Sequence, residues 1–415
     1  MTESEVIKYL LGGQLPQYRF SYASEVDEGE VVLYMERQED APYVCTECGQ
    51  ACLFYYDEQK ERYVEDLPWG ETRIYLHFKP RRIRCPHCGK IHVELLPGLT
   101  PKSRQTDRFR LQLARWCEDA TIASVARRFG LDESTVHRID KEFLEKRERE
   151  REKITCRRLG MDEIALKKGR CYATVFYDHD RKCVIDMVEG RKSEDIECFF
   201  AKMGPKWCAS VEVVTSDLWW AYKFAVRKFL TNATIVTDKF HVFQYAGEAL
   251  DELRRKEYAR QQDKTDFNLK SCRFLIQKAN SRLDAKGKER IEQLKAINAN
   301  LYTGYLLKEQ TVTFYSHKTH EEAERYLEEW IDSCISSNLK QFVFFGKRLR
   351  RHKESILAYF DHRVSNGFAE GINNKIKVIK RMAFGFHDFN YFRLKIFAAT
   401  GNIPALPKRG MLLAA

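Results

Sequence analysis

Two short turns constrain this chain more tightly than any other stretch. Cys45-Thr-Glu-Cys48-Gly49 and Cys85-Pro-His-Cys88-Gly89 repeat one Cys-x-x-Cys-Gly pattern with 36 residues between them. Two thiolates three positions apart on a tight turn can grip one tetrahedral Zn²⁺, and the glycine that follows permits the turn's backbone. Two such turns complete a four-sulfur site, with no position left open for chemistry, so the metal is structural. The competing reading is a redox Cys-x-x-Cys. Cys52, His87 and His92 lie close enough in sequence to substitute as ligands. Between the turns, Arg73–Phe78 alternates like a strand and is expected in a ribbon-like scaffold around the metal.

The other nine cysteines are scattered. A total of thirteen, in a chain that opens Met-Thr-Glu-Ser-Glu without a basic segment and apolar run, points to reduced thiols in a cytoplasm. No apolar stretch is long enough to span a bilayer, so no membrane partner is expected. At 415 residues, two to four domains are expected. The net charge of +11 is compatible with a polyanionic partner, and its distribution is uneven. Residues 1–40 hold nine acidic and three basic side chains, whereas Leu339–Arg381 holds eleven Lys or Arg against Glu354, Asp361 and Glu370.

Thr121–Ile139 reads as two short helices around a glycine turn. Ile122, Val125 and Phe129 form the buried face of the first helix, and Val136, Ile139 and Phe143 that of the second. Ala126 is small where the helices approach, Gly130 allows the turn, and Asp132 is placed to cap the next helix. As a DNA-binding helix-turn-helix, its second helix would offer Ser134, Thr135, His137, Arg138 and Lys141 to the major groove; otherwise it is a hairpin that merely packs. The charged run Glu142–Lys153 reads as a solvated helical connector and a domain boundary.

Leu159–Glu163, Cys171–Tyr177 and Lys182–Glu189 read as successive strands, the last two joined by a turn at Asp178–Arg181. A helix at Ser193–Met203, a strand at Ser210–Asp217, a helix at Leu218–Phe229 and a strand at Ala233–Asp238 follow. The order implies a mixed α/β sheet flanked by helices. Two strands run into aspartates, Asp162 and Asp217, where a rigid edge can hold a metal, although a turn or cap role is the alternative for each. Asp238-Lys-Phe-His241 offers a carboxylate and an imidazole that could support such a site or cap a helix.

From Gln244 to Phe360 the pattern is helical, with loops near Asp284–Gly287 and Ser316–Thr319, and Trp330, Leu327, Ile331 and Cys334 read as core. The basic patch Gly346–Lys353 is either a solvated face or a track for a phosphate backbone. Ser365–Gly385 then separates into two helical faces. Glu370, Asn374, Lys377 and Arg381 share one stripe, Ile372, Ile376, Ile379 and Ala383 the other, and Gly385 is a plausible stop.

Taken together these blocks resemble bacterial insertion-sequence transposases of the ISL-three family. The resemblance spans nearly the whole chain and rests on the paired cysteine turns with Arg81-Arg82-Ile83-Arg84, the helix-turn-helix, Gly160–Glu163, Ser216-Asp217 with Tyr222, Asp238–His241, and Ser365–Arg381 with Phe384-Gly385-Phe386. It implies an RNase H-like core whose Asp-Asp-Glu triad is Asp162, Asp217 and Glu370, with Asp238 and His241 auxiliary. It also implies five parts: a zinc-bearing region to residue 100, a helix-turn-helix with connector over 101–155, the first part of the core over 156–243, a helical insertion over 244–363, and C-terminal core helices over 364–415.

The implied reaction is metal-dependent strand cleavage and strand transfer on DNA. Two Mg²⁺ or Mn²⁺ ions about 3.5–4 Å apart serve such in-line displacements, and carboxylates are the ligands they prefer. Asp162 would bridge the ions, Asp217 and Glu370 would each hold one, and Lys377 and Arg381 would contact phosphates. The implied partners are the element's terminal inverted repeats, target DNA and further copies of the chain, and the implied setting is the bacterial cytoplasm at the nucleoid. Two other classes fit parts of the pattern: a zinc and helix-turn-helix regulator without catalysis, and a metal-dependent nuclease that cuts without joining.

Overall fold

The computed structural model describes residues 3–152, 154–167, 169, 171–217, 220–260, 269–364, 367–383 and 386–407. The chain forms two units, one of residues 1–151 with 403–415 and one of residues 152–402. No helix among the described residues is long and apolar enough to cross a membrane.

In the first unit, helix α1 (Glu3–Leu11) leads into strands β1 (Tyr18–Asp27) and β2 (Glu30–Arg37). Short strands β3 (Tyr43–Val44), β4 (Ala51–Cys52) and β5 (Tyr55–Glu58) precede the longer β6 (Arg62–Trp69) and β7 (Thr72–Phe78), then β8 (Arg81–Arg84) and β9 (Ile91–Val93). They sort into a four-stranded sheet β1-β2-β7-β6, a pair β3-β4 and a three-stranded sheet β5-β8-β9. The strand expected in the metal ribbon therefore belongs elsewhere. In β7, Ile74, Leu76 and Phe78 turn inward beside Leu33, Met35 and Val64, in a core separate from the cysteines. Alternation identifies a strand and its buried face but does not name the strand beside it.

Three helices complete this unit: α2 (Asp107–Asp119), α3 (Ile122–Phe129) and α4 (Glu133–Arg149). Val125, Ala126, Val136 and Ile139 are buried, with Ile122, Phe129 and Phe143 packed around them and α2 supplying Phe109 and Leu113. The Thr121 hydroxyl accepts from Ser124 N–H, and Gly130, at φ 63°, ends α3 in the left-handed region. Asp132 occupies the N-cap position of α4, but its side chain makes no capping bond. The charged run is also less solvated than its composition suggests. Leu144 and Arg147 are buried, and Arg147 pairs with Glu118 at 2.9 Å and donates to the Pro404 carbonyl at 2.6 Å. Arg115 likewise donates to the Pro407 carbonyl, so the returning C-terminal segment packs into this unit.

The second unit is built on β10 (Arg158–Lys167), β11 (Cys171–Asp178) and β12 (Cys183–Glu189), then α5 (Ser193–Met203), α6 (Pro205–Ala209), β13 (Val213–Ser216), α7 (Trp220–Phe229) and β14 (Thr234–Thr237). The sheet order is β12-β11-β10-β13-β14, antiparallel over its first three strands and parallel over the rest. Leu159, Met161, Phe176 and Val214 cover one face with Phe199, Phe200 and Ala225 from α5 and α7. One expectation changes here: Asp162 is not at a strand end. β10 runs five residues past it, because Glu163–Lys167 stay paired with β11.

Between β14 and the last two helices lies a helical segment with its own core. It comprises α8 (Lys239–Arg260), α9 (Arg273–Gln277), a 3₁₀ turn (Asn280–Arg282), α10 (Ala285–Ile297), α11 (Ala299–Phe314), α12 (His320–Ser336), α13 (Lys340–Arg351) and α14 (Lys353–His362). Leu327, Trp330, Ile331 and Cys334 are fully buried at its centre. Ser316–Thr319 is the loop expected, but Asp284–Gly287 is a helix start: the Asp284 side chain accepts from Gly287 N–H and caps α10. Ala358 of α14 and the adjoining Val364 pack on Val213 and Val236, covering the second face of the sheet. The chain continues as α15 (Gly367–Met382) and α16 (Phe389–Thr400). Leu218, Ser365, Asn366, Phe384 and the expected stop Gly385 lie outside the described residues.

Candidate active site and metal centre

The two cysteine turns form matching knuckles. Cys45 N–H donates to Gln50 O and Gly49 N–H to Cys45 O; Cys85 N–H donates to Lys90 O and Gly89 N–H to Cys85 O. Gly49 and Gly89 have φ of 69° and 73°, a conformation that would strain any residue with a Cβ. Cys45 Sγ lies 3.8 Å from Cys88 Sγ, and Cys48 Sγ lies 3.5 Å from Cys85 Sγ. All four sulfurs fall within 4.8 Å of one another. A tetrahedral Zn²⁺ with bonds of about 2.3 Å needs sulfurs about 3.8 Å apart, so the cluster fits the ion. The substitutes stay outside: Cys52 is buried with its thiol toward Gln50 O, His87 is exposed, and His92 sits 3.9 Å from Cys88 Sγ.

The carboxylates are organised by strand register. β10 and β13 pair in parallel as Arg158↔Val213, Leu159↔Val214 and Gly160↔Thr215, and extending that register brings Asp162 level with Asp217. β13 and β14 pair as Ser216↔Thr237, and the Asp238 N–H donates to Ser216 O, so Asp238 comes level with Asp217 in turn. Residues in parallel register project to the same face. The three aspartates therefore form a row across three strands, on the face that α14 covers.

Each aspartate has its own support. Asp162 Oδ1 accepts from the Glu163 N–H at 2.7 Å, and Oδ2 accepts from Asn373 Nδ2 at 2.7 Å. The amide oxygen of Asn373 accepts in turn from the Tyr177 hydroxyl, which is fully buried. Burial pushes the Asp162 carboxyl up, and the Glu163 N–H, His241 and Asn373 only partly offset it. Asp217 Oδ1 accepts from the Tyr245 hydroxyl at 2.9 Å and lies 3.7 Å from His241 Nδ1. Asp238 is buried and accepts from the Phe240 N–H, at the start of α8.

Glu370 is exposed in the first turn of α15, one turn before Asn373. Among the described residues the four cysteines are the one group of three or more His, Cys, Asp or Glu side chains whose ligand atoms all lie within 4.8 Å of one another, so Glu370 and the two aspartates do not form such a group. Its helix is nonetheless bonded to β10 through Asn373. Ile372 and Ile376 are buried as expected, Ile379 is half-buried and Ala383 exposed. Asn374, Lys377 and Arg381 face solvent, and Arg381 Nε reaches the Lys377 carbonyl at 3.2 Å.

Asn373, Tyr177 and Tyr245 were not singled out from the sequence. Asn373 carried a readable signal, because Ala369, Ile372, Asn373 and Ile376 form the i, i+3, i+4, i+7 set of buried positions, and an amide within such a stripe needs partners. In α4, Ser134 and Arg138 are exposed and Thr135, His137 and Lys141 half-buried, with Arg138 3.0 Å from Glu142.

The fold and sites define a DNA-handling enzyme: a four-cysteine ribbon and a three-helix unit followed by an α/β domain with aspartates in a row. Family models agree with each part. A zinc finger of IS204/IS1001/IS1096/IS1165 transposases matches residues 41–88, a helix-turn-helix domain of transposase family ISL3 matches 94–144, and a DDE transposase model of the same family matches 159–396. The chain is 33% identical over 359 residues to the transposase for insertion sequence element IS1001 of Bordetella parapertussis, covering 86% of this chain and 88% of that one. It is 27% identical over 405 residues to the transposase for IS1557 of Mycobacterium tuberculosis, covering 88% and 87%. The chain belongs to the ISL3 family of transposases, enzymes of DNA strand cleavage and strand transfer. Its four-cysteine cluster is a structural zinc site.

Proposed function

We propose that Asp162, Asp217 and Glu370 are the carboxylates of an RNase H-like core, acting on the terminal inverted repeats of the chain's own insertion sequence and on target DNA. The observation that carries this reading is the parallel register that sets Asp162 level with Asp217, together with the Asn373 bond that ties α15 to Asp162 one turn past Glu370. The sheet order supports an RNase H-like core. The donor set is hard oxygen, which suits Mg²⁺ or Mn²⁺. Such ions, held by the three carboxylates, would supply nucleophile activation and neutralise charge at the phosphodiester.

The protein's own groups do the rest. Glu163 N–H and Asn373 orient Asp162, and Tyr245 and His241 orient Asp217. Glu370, exposed on its helix, is free to turn toward the aspartates when cations offset their charge. Lys377 and Arg381, farther along the same helix, meet flanking phosphates. Ser134, Thr135, His137, Arg138 and Lys141 of α4 read the repeat in the major groove. Two ends must be joined, so the working form is a multimer on DNA, in the cytoplasm. The test is cleavage of a repeat-bearing duplex with Mg²⁺. Asp162→Ala, Asp217→Ala and Glu370→Ala should each abolish cleavage while leaving repeat binding intact; persistent cleavage in any of them removes that residue from the triad.

A further inference from the structure

The helical segment of residues 244–363 has its own core and could be read as an independent appendage. Two of its side chains argue otherwise. Tyr245, on α8, donates its hydroxyl to Asp217 Oδ1 at 2.9 Å. Arg348, on α13, lies with its guanidinium carbon 4.2 Å from the centre of the Tyr245 ring. One tyrosine ring is all that separates this cation from Asp217.

Arg348 is placed to meet something outside the protein. α13 buries Phe342, Phe345 and Leu349 and turns Lys347, Arg348, Arg350 and Arg351 outward. Its neighbour Arg350 is tied to Asp332 at 2.7 Å, but among the described residues no carboxylate pairs with Arg348. Stacking on an aromatic ring holds a guanidinium plane while leaving its N–H edges open, and that fork matches two oxygens of one phosphate. The surroundings are cationic as well. His352, one turn on, binds Lys223 through Nδ1 at 2.6 Å, and Lys223 also reaches Ser355 at 3.1 Å. A DNA strand drawn to a row of carboxylates must be held by fixed positive charge beside them.

We propose that Arg348 grips a backbone phosphate next to the scissile bond, which makes the helical insertion part of the active site. This rests on the assignment of Asp217 to the triad. Tyr245 then has two tasks, orienting Asp217 through its hydroxyl and carrying Arg348 on its face.

The test uses the full chain, Mg²⁺ and repeat-bearing duplexes in which single phosphates near the cleavage site are replaced by neutral methylphosphonates. Arg348→Gln should slow cleavage by about 10- to 100-fold and lower the salt dependence of binding by about one phosphate contact. One methylphosphonate should slow the natural protein to a similar degree and slow Arg348→Gln no further. Arg350→Gln should behave as the natural protein. The inference is overturned if the losses from Arg348→Gln and from methylphosphonate multiply at every phosphate, provided that Asp217→Asn is inactive. Cleavage that survives Asp217→Asn would overturn the triad assignment itself.

Discussion

Asn373 is the residue on which the arrangement turns. Its amide is held at both ends, receiving from Tyr177 and donating to Asp162, so it can adopt only one orientation. Asn373→Ala would leave a fully buried phenol without an acceptor and remove a donor from Asp162. The expected cost is about 1–3 kcal/mol, read from urea unfolding of the second unit. Cleavage should fall and require more Mg²⁺, while repeat binding stays unchanged. Tyr177→Phe keeps the bond to Asp162 and should cost about 1 kcal/mol with the Mg²⁺ requirement unmoved; an equal Mg²⁺ effect in both variants would mean that Asn373 acts only through packing.

Among the elements, the helices were the most legible, because periodicity and caps are local. α5 begins and ends at Ser193 and Met203 as expected, and the turn between α3 and α4 sits at Gly130. Strand existence was legible too, but strand partnership was not: β7 joined β2 and β6 because its Ile74, Leu76 and Phe78 found an apolar face there, a long-range fact that no local pattern contains. Asp162 and Asp217 were visible as carboxylates on strands, whereas their alignment depends on the parallel pairing of β10 with β13, 55 residues apart in sequence. Tyr245 and Arg348 lie in helices whose periodicity marks only their buried sides. For α4 the expectation is specific. Arg138 is exposed and bound only loosely to Glu142, so Arg138→Ala should weaken repeat binding and lower its salt slope by about one if it meets a phosphate, or cost about 1–3 kcal/mol at a single base pair if it meets a base edge. Binding measured against salt and against mutated repeats separates the two.

Across the whole molecule, the zinc cluster and the proposed catalytic carboxylates fall in different units. The zinc cluster belongs to the first unit and the aspartate row to the second. Structural Zn²⁺ sites contribute on the order of 10 kcal/mol to the folding of small modules, so Cys85→Ser or chelation should unfold the ribbon, free its thiols and abolish repeat binding. Residues 152–402 have their own cores and should keep their resistance to proteolysis. Limited proteolysis with mass analysis of the fragments checks this, and cleavage spreading into the second unit would contradict it.

The return of the chain to the first unit has a practical side. Carbonyls of Pro404 and Pro407 receive Arg147 and Arg115, side chains of α4, the second helix of the helix-turn-helix, and of α2, which precedes it. A stop codon just before Ile403, or a bulky fusion at the C-terminus, is thus an edit to the DNA-reading half, although the sequence distance suggests the catalytic one. Loss of repeat recognition in such a protein would arise from two arginines that no longer meet these proline carbonyls, with every residue of the row of carboxylates still in place.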